Sequence, residues 1–178
     1  CDSCATEQKR WHGLSPFGRK VVAEMNRLGM LVDVSHISDS CFYDVLACST
    51  KPVVATHSSC RSLAGHPRNM TDDMIRELAA RGGVIQINFY PYFLDAAYKE
   101  GGSRPSYTLI ADHIDHVVEL VGVDHVGIGS DFDGIEVTPE GMEDISMMPK
   151  LFEELRRRGY SEADLEKIAS GNFFRILE

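Results

Sequence analysis

The chain has 178 residues, 43% of hydrophobic type and 25% charged, enough apolar material for one sizeable core and too much for a disordered tail. Acids outnumber bases 27 to 18, a formal charge of −9 that argues against a general nucleic-acid binder, which needs a basic surface. The apolar runs are only a few residues long, so no segment is expected to cross a bilayer.

Residues 1–13 are polar and aperiodic. The sequence begins at Cys1, without Met or a signal-type apolar stretch, which suggests that something upstream was removed or that this is a fragment. Ser15-Pro16 then reads as a helix start, Val21, Val22, Met25 and Leu28 follow at helical spacing, and Gly29 ends the helix. Met30–Val34 is a run of strand length that leads into Ser35-His36. Ser38 caps a second helix whose inward face is Phe42, Val45 and Leu46, and Pro52–Thr56 forms a strand that ends at His57. After a loop reaching Asn69, Thr71 caps a helix with Met74, Ile75 and Leu78 inward, closed by Gly82-Gly83. Val84–Phe89 is a third strand, Tyr107–Val121 a helix, and His125–Gly129 a fourth strand ending at Ser130-Asp131. Two helices, near 145–158 and 161–169, and a final turn near 172–177 complete the chain. Five cysteines are an odd count and do not read as a disulfide framework.

Apolar strands alternating with helices imply a parallel sheet joined by right-handed crossovers. A full eight-stranded barrel needs ~250 residues. Four strands in 178 residues therefore make either a small open α/β sheet or half a barrel.

In parallel α/β architectures reactive groups gather at the C-terminal ends of strands. Three of the four strands end here in His36, His57 and Asp131. A lone histidine is commonly a satisfied core or loop residue. Two at equivalent places on consecutive strands, ~4.8 Å apart, can both reach one ion at ~2.1 Å. An aspartate at the same level can take or orient a proton of the attacking water. Arg68, eleven residues after His57, suits a bidentate carboxylate clamp or a solvated loop equally. Asp131-Phe132-Asp133-Gly134 also looks like the opening motif of haloacid-dehalogenase-type phosphatases, but no later acidic pattern completes it. His113 and His116 share a helix face, which reads as a surface helix rather than a metal site. The aromatic run Phe89–Phe93 either walls a pocket beside the histidines or fills the barrel top.

The runs Gly13–Gly18 and Met25–His36, together with Thr56-His57-Ser58-Ser59, Arg68-Asn69, Asn88-Phe89-Tyr90 and Gly129–Gly134, resemble the membrane (renal-type) dipeptidase family, in order and over nearly the whole chain. The resemblance implies a zinc-dependent (β/α)₈ barrel of the amidohydrolase kind that hydrolyses dipeptides with two zinc ions bridged by a glutamate. Carried over by position, His36 and His57 bind the second zinc, Arg68 holds the dipeptide's C-terminal carboxylate, and Asp131 takes part in proton transfer. The family's His-x-Asp pair for the first zinc, its bridging glutamate and a substrate-contacting histidine all precede the matched region. The resemblance thus makes residues 1–178 a single region corresponding to barrel strands five to eight, the C-terminal half of the domain. It is expected to be inactive alone and to associate with the missing half or with a second copy. A phosphatase around Asp131 and Asp133, and a non-catalytic metal-binding scaffold, are the alternatives.

Overall fold

The computed structural model describes all residues, 1–178. Four strands, β1 (Val32–Asp33), β2 (Val53–Ser58), β3 (Val84–Ile87) and β4 (Val126–Ile128), form one sheet in the spatial order β1-β2-β3-β4, every pair parallel. Val32 sits opposite Val53, Val54 opposite Val84, and Ile85 opposite Val126. β1 is shorter than its apolar run because it is an edge with a partner on one side only. The ladder still continues past it, with the Val34 N–H donating to Val54 O at 2.8 Å.

Helices α1 (Pro16–Leu28), α2 (Asp39–Cys48), α3 (Asp72–Ala80) and α5 (Thr108–Val121) cover the sheet, with the single turn α4 (Pro91–Leu94) between β3 and α5. Three begin where the sequence offers a cap: the side chains of Ser15, Ser38 and Thr71 accept from the backbone N–H groups of Gly18, Cys41 and Met74. Each such cap is worth about 1 kcal/mol. Gly29, with φ 72°, ends α1 in the left-handed conformation that favours glycine. The inward faces, Phe42, Val45 and Leu46 of α2, Met74, Ile75 and Leu78 of α3, and Ile110, Ile114 and Val117 of α5, join the strands in one buried cluster.

The C-terminal third departs from the expected boundaries. A 3₁₀ turn at Ile145–Met147 precedes α6 (Met148–Arg157), because Pro149 suits a first turn that needs no N–H. α7 (Glu162–Glu166), started by a Ser161/Asp164 capping box, runs through a π turn (Lys167–Gly171) into α8 (Asn172–Leu177), so the expected separate tail is a continuation. Gly171 does not stop it, since its φ of −56° and ψ of −42° are helical. α8 seals the N-terminal end of the sheet: Ile176 packs with Val54 and Val84, and the Asn172 amide donates to Val123 O and Val126 O. Arg158 pins α6 to α5 through Asp112 and Asp115, each at 2.6 Å.

The N-terminal stretch, aperiodic in sequence, is tied down. The Asp2 carboxylate accepts from the backbone of Arg10, Trp11 and Gly13, and the Cys4 N–H donates to His36 O at 2.8 Å. All five cysteines are free, with Cys41 and Cys60 buried. No helix is long and apolar enough to cross a membrane.

His113 corrects the surface-helix expectation, for it is 1% exposed. Its Nδ1 accepts from the Cys60 N–H at 3.0 Å and its Nε2 lies 3.1 Å from Leu94 O, so this imidazole bridges the loop after β2 to the end of α4. Both bonds suit the neutral Nε2–H form. Burial pushes its pKa down to about 4, against the pull of the Leu94 carbonyl and Asp112. Unfolded, the same ring titrates near ~6.5, so between these values the unfolded chain binds the extra proton. The stabilisation is therefore complete above ~6.5 and is lost as pH falls toward 4, a change of up to about 3 kcal/mol. An NMR titration is expected to find His113 still neutral at about pH 5.5 and urea melts to weaken over this window; an ordinary histidine titration would contradict this placement.

Candidate active site

The site lies at the C-terminal ends of the strands, opposite α8. His36 follows β1 and His57 is the penultimate residue of β2, and their Nε2 atoms stand 2.8 Å apart with ring centroids at 4.8 Å. Two devices aim them. His36 has a φ of 71°, a left-handed conformation uncommon outside glycine, and its carbonyl is held by the Cys4 N–H and the Ser3 hydroxyl. β2 loses regular register between Ala55 and Ser58, so Thr56 and His57 do not simply alternate across the sheet. The irregularity brings these neighbouring side chains into contact, with Thr56 Oγ1 2.7 Å from His57 Nδ1.

Asp33 supports this contact from β1. Its Oδ2 accepts from Thr56 Oγ1 at 2.6 Å, and its Oδ1 accepts from the N–H groups of Ser35 and Thr56 at 2.9 and 3.1 Å. Desolvation among the strand ends pushes the Asp33 carboxyl up, but these hydrogen bonds outweigh it and leave its pKa below the usual range.

Asp131 leaves β4 with a φ of 62°. Asn88, after β3, donates its amide to Asp131 Oδ2 at 3.0 Å. Gly134 leaves the room this carboxylate needs, since a Cβ there would stand 2.2 Å from Asp131 Oδ1. Of the three non-glycine residues with positive φ, His36 and Asp131 are two, and strain of this kind tends to concentrate where chemistry is done. Gly129 is equally constrained: a Cβ there would meet Thr56 O at 2.0 Å, so no larger residue lets β4 approach β2 at this level.

Arg68 approaches from the loop after β2. Its Nη2 donates to His57 O at 3.1 Å, and its guanidinium carbon stands 5.4 Å from the centre of the Phe93 ring. The loop is fixed by Asn69, whose buried amide donates to Ala64 O and Phe93 O. None of the chain's ion pairs includes Arg68. It is a half-buried cation without a carboxylate, and desolvation lowers its pKa against the pull of Asp131 and Asp33. Lost hydration, the Arg68 charge and the His57 ring also hold the His36 imidazole below its ordinary range, against the opposite pull of Asp131 and Asp33. The four expected residues therefore share one electrostatic neighbourhood.

The donor set fits half of a zinc shell. Two nitrogens at ~2.1 Å from one tetrahedral ion stand about 3.4 Å apart, so the rings need open by only about 0.6 Å. No third histidine, cysteine or acid joins them into a complete metal-holding group. His113-Ile114-Asp115 has the His-x-Asp pattern but lies on α5, where His113 is buried and Asp115 bonds Arg158 and Tyr160. His116 pairs with Asp72 and Ser62. The tyrosines of the aromatic run, Tyr90 and Tyr92, wall a separate cavity with Tyr98, Glu100, Arg104 and Glu136, which the imidazoles do not line. The sequence alone does not show the contacts of Asp33 with Thr56 or of Asn88 with Asp131, which join residues 23 and 43 positions apart. The available signal for the first was an acid inside the apolar run Met30–Val34.

The chain is similar in sequence and fold to known peptidases. The dipeptidase aclJ of Aspergillus oryzae is 42% identical over 176 residues, covering 99% of this chain and 41% of that protein. The dipeptidase verJ of Clonostachys rogersoniana is 43% identical over 166 residues, covering 93% and 41%. A metallo peptidase from Rhodobacter sphaeroides, solved with a phosphinate mimic of the dipeptide L-Ala-D-Ala, superposes with a TM-score of 0.89 at 34% identity, covering 98% of this chain and 48% of that one. The chain thus spans about two fifths of the length of these curated relatives, and its four parallel β/α units form part of a TIM-type barrel. The model of the family described as membrane dipeptidase (peptidase family M19) matches residues 1–178, and the chain belongs to that family.

Proposed function

We propose that this chain carries the second-zinc histidines, the carboxylate-binding arginine and the proton-transfer aspartate of a zinc dipeptidase. The observation that carries the reading is the convergence of the His36 and His57 Nε2 atoms at 2.8 Å, in the electrostatic range of Asp131 and Arg68. A zinc ion at these nitrogens would polarise the peptide carbonyl and bring the pKa of a water toward ~7. Asp131 would take the proton released there, with Asn88 fixing one of its oxygens and leaving the other free. Arg68 would anchor the free carboxylate of the dipeptide, which is positioning rather than chemistry. The relatives' printed names and the ligand of the Rhodobacter sphaeroides enzyme support a dipeptide as substrate. Family membership accounts for Asp131–Gly134 without a phosphatase.

In the same reading the remaining zinc ligands come from a preceding half barrel. β1 and β4 each have a partner on one side only, and sheet edges of this kind invite pairing. Beside β1, α1 and its following turn present Phe17 at 74%, Leu28 at 56% and Met30 at 54% exposure, an apolar face suited to a neighbouring helix of that half. Two copies of this chain closing on each other are the other way to cover these edges.

Three outcomes are expected. The 178-residue chain alone sediments as an associated species or melts without cooperativity, and gains a cooperative melt when the preceding half is supplied; a stable, cooperative monomer would overturn the half-barrel reading. In the closed barrel, His36→Ala and His57→Ala each abolish zinc-dependent dipeptide hydrolysis. Zinc binding without hydrolysis by the unsubstituted closed barrel would instead indicate a scaffold. Arg68→Ala lowers kcat/KM by about 10- to 100-fold for a dipeptide and far less for its C-terminal amide; equal losses on both would remove the carboxylate role.

A further inference from the structure

The hydrogen bonds behind His57 form a chain whose direction is set at one end. Asp33 Oδ2, Thr56 Oγ1, His57 Nδ1, His57 Nε2 and His36 Nε2 follow one another with contacts of 2.6, 2.7 and 2.8 Å. A threonine hydroxyl has a single proton to give. A carboxylate can only accept, so a hydroxyl facing one spends its proton there and turns its lone pairs to its other neighbour. Asp33 already accepts two backbone N–H groups on Oδ1, which favours its ionised form. Thr56 Oγ1 is then left as an acceptor toward the imidazole.

We propose that Asp33, acting through the Thr56 hydroxyl, fixes His57 as the Nδ1–H tautomer and so presents a bare Nε2 lone pair to a divalent cation. The inference rests on the zinc reading for its purpose, but the tautomer itself is a property of the metal-free chain. With His57 Nε2 unprotonated, the 2.8 Å contact requires His36 Nε2–H to donate across the gap. His36 is thus the ring that must give up its Nε2 proton before both can bind one ion, whereas His57 is ready beforehand. Asp33 and Thr56 are positioning residues: neither reaches the cation. Metal-binding histidines characteristically have their second nitrogen engaged in this way, and loss of the partner weakens metal binding by about 10- to 100-fold.

The geometry makes one substitution decisive. Oδ1 of Asp33 faces two N–H donors, so in Asp33→Asn the amide oxygen keeps that position and the NH₂ faces Thr56. Thr56 must then accept from the amide and send its own proton to His57 Nδ1, reversing the chain. The test is ¹⁵N NMR of the histidine rings in the metal-free folded protein, alone or closed by the preceding half, at about pH 8, where imidazoles are neutral. Zinc affinity is measured beside it by chelator competition. The unsubstituted protein and Thr56→Ser are expected to show His57 with Nδ1 protonated. Asp33→Asn is expected to shift the proton to Nε2, and both Asp33→Asn and Thr56→Val to weaken zinc by about tenfold or more. His57 found with Nε2 protonated in the unsubstituted protein overturns the proposal, as does a tautomer and zinc affinity unchanged by both variants. His57→Ala binding zinc as tightly as the unsubstituted protein would instead defeat the zinc reading and leave the tautomer assignment standing.

Discussion

Two imidazole nitrogens held 2.8 Å apart at the ends of adjacent strands are the constraint on which the rest of the site depends. Parallel pairing brings the ends of β1 and β2 side by side, but it does not by itself aim two rings at one point. That takes a left-handed turn at His36, a break in register before Ser58, and the tethering of the His36 carbonyl by the N-terminal stretch. Backbone strain at a non-glycine left-handed residue costs of order 1 kcal/mol or more, and here the surrounding hydrogen bonds over-determine the conformation. Arg68 and Asp131 act electrostatically on the His36 ring from two further segments, so four segments of the chain bear on one site.

The sheet's two ends divide the work. At the N-terminal end α8 covers Val54 and Val84, and Asn172 and Arg175 donate to the backbone carbonyls of Val123, Val126, Gly82 and Asp124. At the C-terminal end the polar side chains of His36, His57, Arg68 and Asp131 gather in one electrostatic neighbourhood. Helices α2, α3 and α5 cover the outer face, while the chain's other openings are lateral, at the edges of β1 and β4. That pattern belongs to a barrel segment rather than to a closed small domain, which matches the half-length coverage of the relatives.

The elements that obey simple local rules were legible in the sequence. Ser15, Ser38, Thr71 and Ser161 each cap the helix their position predicts, and the apolar runs at 30–34, 52–56, 84–89 and 125–129 each overlap a strand. The placement of the histidines and Asp131 at strand ends was legible from the apolar runs that precede them, and strand ends in parallel sheets are where reactive groups collect. Less legible was what depends on long-range contact. Nothing in the polar spacing of residues 1–13 shows that Asp2 gathers three backbone N–H groups or that Cys4 grips the His36 carbonyl. His113 reads as a surface residue by helical pairing with His116, yet the loop after β2 folds over it. Thr56 looks like an ordinary strand threonine, and its role emerges only when the register break turns it toward His57 and pairing with β1 brings Asp33 within 2.6 Å.

The most direct test of the account is the position of a bound ion. Zinc-loaded protein in its closed form should show, by anomalous scattering at the zinc edge, one ion within ~2.1 Å of both the His36 and His57 Nε2 atoms. An ion bound at one ring alone, or at a place that neither ring touches, would contradict the claim that these two imidazoles share a cation.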